Sequence, residues 1–314
     1  MAPAGTATKR RWWWAQPPRT DTPALSTRRA YAEMLVVYGV FFASGIVAAA
    51  FSVAGHTPTT PATGWSEAVP ASIDQVAITV LCVMVPVLLS ARRGLRVGDL
   101  GLHRPGTPGA VTAAPGIRMA AWALLGLIAG GAVTSLLATG SFPAGRFSYP
   151  NLTLNLFHAA QAGFVEEIVV LAFVVTTLEQ ARRPRSEIVA VALLLRASYH
   201  IYYGPGVFGI FVWASIFLWL FLRFRTIVPL IAVHSAWDIL AFLGQHWHFV
   251  EGLEVLAWFA LFLTAFVVWL STRSTGQSPP PLATPGWYPD PFGQGDLRWF
   301  DGWRWTPAAR PHAR

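Results

Sequence analysis

The sequence predicts an all-α polytopic membrane protein with about eight transmembrane helices and a small β-rich module at its C-terminus. Three observations carry that prediction. The chain of 314 residues is 54% hydrophobic and only 12% charged, where soluble domains carry about 25% charged residues. Apolar runs near 33–54, 73–91, 117–138, 155–178, 188–204, 207–222, 227–244 and 252–271 approach or reach the length that crosses about 30 Å of hydrocarbon. Arginine-rich and arginine-poor connections alternate between those runs.

The elements follow in order. Residues 1–30 form a basic tail holding Lys9, Arg10, Arg11, Arg19, Arg28 and Arg29, with no apolar core and cleavage site of a signal peptide. Trp12, Trp13 and Trp14 beside Arg10 and Arg11 suit a membrane interface. The stretch 55–72 has no Lys or Arg, whereas Arg92, Arg93, Arg96 and Arg104 follow the second run. Arg146 alone follows the third, and Arg182, Arg183 and Arg185 follow the fourth. Residues 201–206 and 245–251 have none, whereas Arg223 and Arg225 follow the sixth run and Arg273 follows the eighth. The positive-inside rule then puts both termini in the cytoplasm. Gly204-Pro205-Gly206 breaks the fifth run from the sixth, and both are short.

The transmembrane domain is expected over 31–272, with its polar motifs within 153–245, followed by a Pro/Ser linker over 273–284. A small Trp-rich domain over 285–308 ends in alternating aromatic segments around Asp301-Gly302, a hairpin signal that predicts two or three strands. Trp287, Trp299, Trp303 and Trp305 are its expected core. The net charge of +8 comes almost wholly from arginines placed between apolar runs, so it marks topology and gives no reason to expect nucleic acid. The one cysteine, Cys82, lies in an apolar run and reads as packing.

Function is written in the ionisable residues at membrane depth. Glu166 and Glu167 sit together inside the fourth run, where one carboxylate costs about 2.5–3.5 kcal/mol on insertion scales. Arg196, His200, His234 and Asp238 lie in or beside later apolar segments and can compensate them. Arg196 and His200 are four apart, as are His234 and Asp238, so each pair shares a helix face. On an α-helix Glu166 and Glu167 diverge by about 100°, so one faces the chemistry while the other reaches a neighbouring helix. The simplest packing gathers the fourth, fifth and seventh runs around a polar cavity.

Such a cavity holds the parts for peptide-bond hydrolysis. A desolvated carboxylate takes a proton from water; imidazoles stabilise an oxyanion or ligate a metal that does so. Asp238 would orient His234. Tyr199, Tyr202 and Tyr203 are expected in the outer aromatic belt, and His158, His246 and His248 near the interface.

Glu166-Glu167, His200 in Arg-Ala-Ser-Tyr-His, and His234-Ser-Ala-Trp-Asp238 resemble, in that order, the three motifs of the CPBP family. That family comprises CAAX-prenyl-protease-like and bacteriocin-processing intramembrane proteases, also called Abi proteins. Gly98-Asp99-Leu100-Gly101-Leu102 resembles a further family segment, and the likeness spans roughly 95–245. It implies an intramembrane endopeptidase acting on a membrane-anchored protein or peptide. Glu166 would be the water-activating base, with His200, His234 and Asp238 as the other site residues. It also implies either a zinc ion on Glu166, His200 and His234 or a metal-independent glutamate mechanism. Two positions depart from the pattern. Leu171 stands where the family has Arg, and Arg196 where it often has Phe. Arg196 is therefore expected to replace that cation from the neighbouring helix and pair with Glu167.

Gly286-Trp287-Tyr288-Pro289-Asp290-Pro291 and Trp299-Phe300-Asp301-Gly302 resemble a short domain of unknown function from actinobacterial membrane proteins. With the Arg-rich, Lys-poor composition, that points to a bacterial plasma membrane. The competing reading keeps the fold without hydrolysis: an inactive scaffold or bacteriocin-immunity-type protein that docks a protein partner through the tail. A proton-coupled transporter ranks behind both, because no inverted repeat of broken helices is evident.

Overall fold

The computed structural model describes residues 23–56, 65–103, 113–140, 152–246, 263, 266, 285–290, 296–300 and 305–311. Residues 1–22 of the N-terminal tail, the eighth apolar run apart from two residues, the linker, Trp303 and Asp301-Gly302 lie outside them. The chain divides into two units, Met1–Ala265 and Phe266–Arg314.

The first unit is helical. α1 (Thr27–Val53) starts at Ser26, whose hydroxyl accepts from the Arg29 amide. α2 (Trp65–Arg92) runs through Pro70 and Pro86. α3 (Ala113–Leu137) follows, and then a continuous helix from Leu152 to Gln180. That helix comprises α4 (Leu152–Val165), a π-helical segment Glu166–Phe173, and α5 (Val174–Gln180). Two short helices come next: α6 (Arg185–Ser198) and a 3-10 segment Ile201–Gly206. α7 (Val207–Phe224) and α8 (Val228–His246) complete the unit.

Residues 167–181 are buried without interruption, so the π segment and α5 form the axis of the core. Phe173, Leu178, Phe217, Leu220 and Phe221 are among its fully enclosed side chains. α3 crosses α7 closely because glycine meets glycine: a Cβ on Gly130 would lie 2.5 Å from the Gly209 carbonyl and 2.7 Å from Trp213. The Gly98–Leu102 segment forms a 3-10 turn that ends on Gly101 at φ 78°, where the amide of Ile227 donates to its carbonyl. A side chain at Gly101 would strike Phe221 and the Ile227 backbone, so the turn anchors the connection between α7 and α8.

Among the described residues, five helices are long and apolar enough to cross a membrane: Thr27–Val53, Ser72–Arg92, Pro115–Leu137, Leu154–Gln180 and Ile201–Phe224. Val228–Leu243 is a shorter apolar helix. The fold is thus the expected polytopic helical one, but the fifth run is not a full span. α6 has 14 residues, about 21 Å of helix, because it starts after Pro184 and ends at Tyr199. The rest of that run belongs to the 3-10 segment, where Gly204 takes φ 58° and the chain turns into α7.

The second unit is a three-stranded antiparallel sheet in the order β1 (Gly286–Pro289), β2 (Leu297–Phe300), β3 (Trp305–Arg310). Trp287 pairs with Trp299 across β1 and β2, their rings 5.5 Å apart. Tyr288, Phe300 and Trp305 form a second aromatic group. The expected tryptophan core is supplemented by a buried ion pair: Arg298 donates to Asp290 at 2.8 Å and to the Thr306 carbonyl at 2.9 Å.

Candidate active site

Glu166 and Glu167 open the π-helical segment, where the widened turn departs from α-helical register. Such insertions cluster at functional sites. Opposite them, α6 delivers Arg196 in its last turn and Tyr199 at its end, with His200 in the break that follows. His234 and Asp238 come from α8, which packs along α4.

The arginine is the centre of this group. Arg196 Nη1 lies 2.8 Å from Glu166 Oε2 and 2.9 Å from Glu167 Oε1, while Nη2 donates to Glu167 Oε2 at 3.0 Å. Its cationic carbon sits 4.9 Å from the centroid of the Trp213 ring, an indole on α7. Trp213 also meets His234 edge to face at 5.0 Å. The expected pairing of Arg196 with Glu167 is therefore present, and it extends to Glu166. Both glutamates thus meet on one guanidinium, while Glu167 alone also bonds to α8 through His234.

The carboxylates differ in access. Glu167 is fully buried and saturated by Arg196 and by His234 Nδ1, which donates to its Oε1 at 2.7 Å. Glu166 keeps 12% of its side chain exposed. Its Oε2 accepts from Arg196 and, at 2.9 Å, from the Tyr199 hydroxyl. Among the described residues nothing donates to Oε1 of Glu166.

His234 is oriented by Glu167 rather than by Asp238. Glu167 holds Nδ1, whereas Asp238 stands 3.6 Å from Nε2 and Glu166 Oε2 4.0 Å from it. His200 Nδ1 donates to the Arg196 carbonyl at 3.2 Å, and the ring interacts electrostatically with Glu166 and His234. All six expected residues therefore gather in one polar cluster.

Tyr199, Tyr202 and Tyr203 correct the expectation of an outer aromatic belt. Tyr199 and Tyr202 are buried and Tyr203 is half-buried. Their rings surround His200 at 4.5, 5.8 and 6.3 Å. Aromatic composition near a Gly-Pro-Gly break looks the same at an interface and in a core. Spacing held a clue: Tyr199 is three residues from Arg196 and shares its helix face. Trp213 had no comparable signal.

Nδ1 engaged in a hydrogen bond is a habit of metal-bound imidazoles, and both histidines show it. However, no group of three or more His, Cys, Asp or Glu among the described residues is placed to hold an ion. The Arg196 cation already occupies the space beside Glu166. As placed, these residues do not form a zinc site.

Helices long enough to span a bilayer, carrying between them paired carboxylates, a guanidinium and two imidazoles in one cluster, define a polytopic membrane protein with a buried polar centre. Residues 149–240, the stretch that holds all of these side chains, match the model of the Rce1-like type II CAAX prenyl endopeptidases, a likeness consistent with the CPBP intramembrane proteases. Residues 285–314 match a domain of unknown function, DUF2510. Neither the curated proteins nor the solved structures give a match.

Proposed function

We propose that the protein is an intramembrane endopeptidase that hydrolyses a peptide bond of a membrane-associated protein or peptide. The observation that carries this reading is the asymmetry of the two glutamates. Glu167 is consumed by Arg196 and His234, while Glu166 is held through one oxygen and retains access through its side chain.

Glu166 takes a proton from water, and the resulting hydroxide adds to the scissile carbonyl carbon. His234, set between Glu167 and Asp238, can carry a proton on Nε2 and present it to the developing oxyanion. The carbon–nitrogen bond then breaks as the proton on Glu166 passes to the departing amine. The products are a carboxyl terminus and an amine, and Glu166 returns to its starting charge. His200 borders the same cluster, its Nε2 left to orient water or substrate. Arg196 neutralises the carboxylate pair, and the Trp213 face shields it.

The arginine on Glu166 supports a mechanism that needs no metal. Cleavage of a membrane-anchored reporter peptide in proteoliposomes tests both parts. Glu166→Gln should abolish turnover, and chelator should leave the wild type unchanged. Turnover by Glu166→Gln equal to wild type rejects the reaction. Stoichiometric zinc that disappears in His234→Ala rejects the metal-free route. The arginine-rich connections support cytoplasmic termini and a plasma-membrane location.

The alternative is an inactive scaffold of the same fold. It is favoured by one observation, a second unit that forms a three-stranded antiparallel sheet of its own.

A further inference from the structure

Resting on the hydrolytic reading above, we propose that Tyr199 is a positioning residue that fixes which oxygen of Glu166 activates water. The Tyr199 hydroxyl donates to Glu166 Oε2 at 2.9 Å, the same oxygen that takes Arg196 Nη1 at 2.8 Å. Two donors on one oxygen pin the carboxylate rotor. They leave Oε1, which receives no donor among the described residues, as the proton acceptor.

The phenol is itself held from a third helix. Phe42 of α1 stacks on the Tyr199 ring at 4.5 Å, and Tyr38 stacks on Phe42 at 5.0 Å. Tyr38 also donates to the Leu195 carbonyl at 2.9 Å and lies 2.5 Å from Ser198 Oγ, which fixes the end of α6 from which Tyr199 projects. On its other face Tyr199 meets His200, 4.5 Å between centroids. The ring is buried, so a donor aimed at a carboxylate is kept where water cannot compete for it. Without the hydroxyl, Arg196 alone holds Oε2, and the carboxylate can rotate about its terminal bond. Catalysis is sensitive to such misplacement, whereas substrate binding through distant contacts is not.

Tyr199→Phe removes the hydroxyl while keeping the stacks on Phe42 and His200. With the proteoliposome reporter peptide, kcat should fall by about 10- to 100-fold, with KM and the melting temperature close to wild type. Ser215→Ala, which loses an exposed hydroxyl on α7 that bonds only the Phe211 carbonyl, should keep kcat. Isotope-edited infrared spectra of protein with 13C-carboxyl glutamate supply a readout independent of turnover. Tyr199→Phe should shift a carboxylate band in the wild-type background and leave the Glu166→Gln background unaltered. Wild-type kcat in Tyr199→Phe, or an unmoved band, overturns the proposal even when Glu166→Gln is inactive. Full activity in Glu166→Gln would instead overturn the hydrolytic reading, with the infrared shift still deciding the contact.

Discussion

At the scale of single residues, the polar cluster is a charge problem solved by one arginine. Two carboxylates at membrane depth are tolerated when a cation satisfies both, and Arg196 does so with 3% of its side chain exposed. Removing one partner of a buried pair leaves the other charge uncompensated, at a cost of about 3–5 kcal/mol. Arg196→Ala should therefore lower the melting temperature in detergent sharply and abolish turnover. Leu171 lies on the same π-helical segment as the glutamates and is buried. Leu171→Arg in the Arg196→Ala background should partly restore both, because a cation would return to the carboxylates from their own helix. An Arg196→Ala protein that melts and turns over like the wild type would remove the central role of this arginine. The sequence exposed the problem, two glutamates in an apolar run, and the candidate cation four residues before His200. It did not expose that one guanidinium serves both acids, because the π-helical turn that permits this has no recognised mark in the residues themselves.

At the scale of elements, α6 matters more than its length suggests. It is too short to span, yet it carries Arg196 and Tyr199 at one end, and its other end is tied to α1. There Glu187 accepts from Arg183 Nε at 2.7 Å and Nη2 at 2.6 Å, and from the Tyr31 hydroxyl at 2.6 Å. The hydrogen bonds from Arg183, then that from Tyr31, hold the Glu187 carboxyl down to about 2 from its ordinary 4.5. A lowered carboxyl stabilises the fold wherever it is ionised in the folded and unfolded chain alike. The contribution is thus full above about 4.5 and is lost as pH falls from there through about 2. Melting temperatures should show an acid loss over that window that is smaller in Glu187→Gln; identical pH dependence in the two proteins would contradict the link. The Gly204-Pro205-Gly206 break warned that the fifth and sixth runs could form one broken element, but hydropathy did not mark where the α-helix of the fifth run stops. Hydropathy reports how apolar a stretch is, and Tyr199, Tyr202 and Tyr203 keep it apolar while Gly204 and Pro205 turn the chain.

At the scale of the whole chain, composition and loop arginines are enough for a polytopic membrane protein, because the bilayer constrains every span in the same way. They are not enough for the number of spans, since a re-entrant or shortened helix such as α6 is as apolar as a crossing one. The C-terminal sheet was legible through its turn residues and aromatics, while its Arg298–Asp290 pair was not, because charges in a 30-residue module are expected on the surface. That pair, together with Trp287 against Trp299, gives the sheet internal contacts of its own. Its loss should therefore separate the two readings of function. In a protease, the chemistry belongs to residues between Glu166 and Asp238, all within the first unit. Deleting 285–314 should then leave Glu166-dependent cleavage of the reporter peptide intact and change only which natural substrates are taken. In a scaffold, the same deletion should abolish partner binding and the cellular effect, while Glu166→Gln in the full chain leaves both unchanged. Pull-down and reporter cleavage measured side by side on these two variants distinguish the cases. Loss of function confined to the deletion would overturn the proposed endopeptidase, because a buried, arginine-clamped glutamate pair would then serve folding alone.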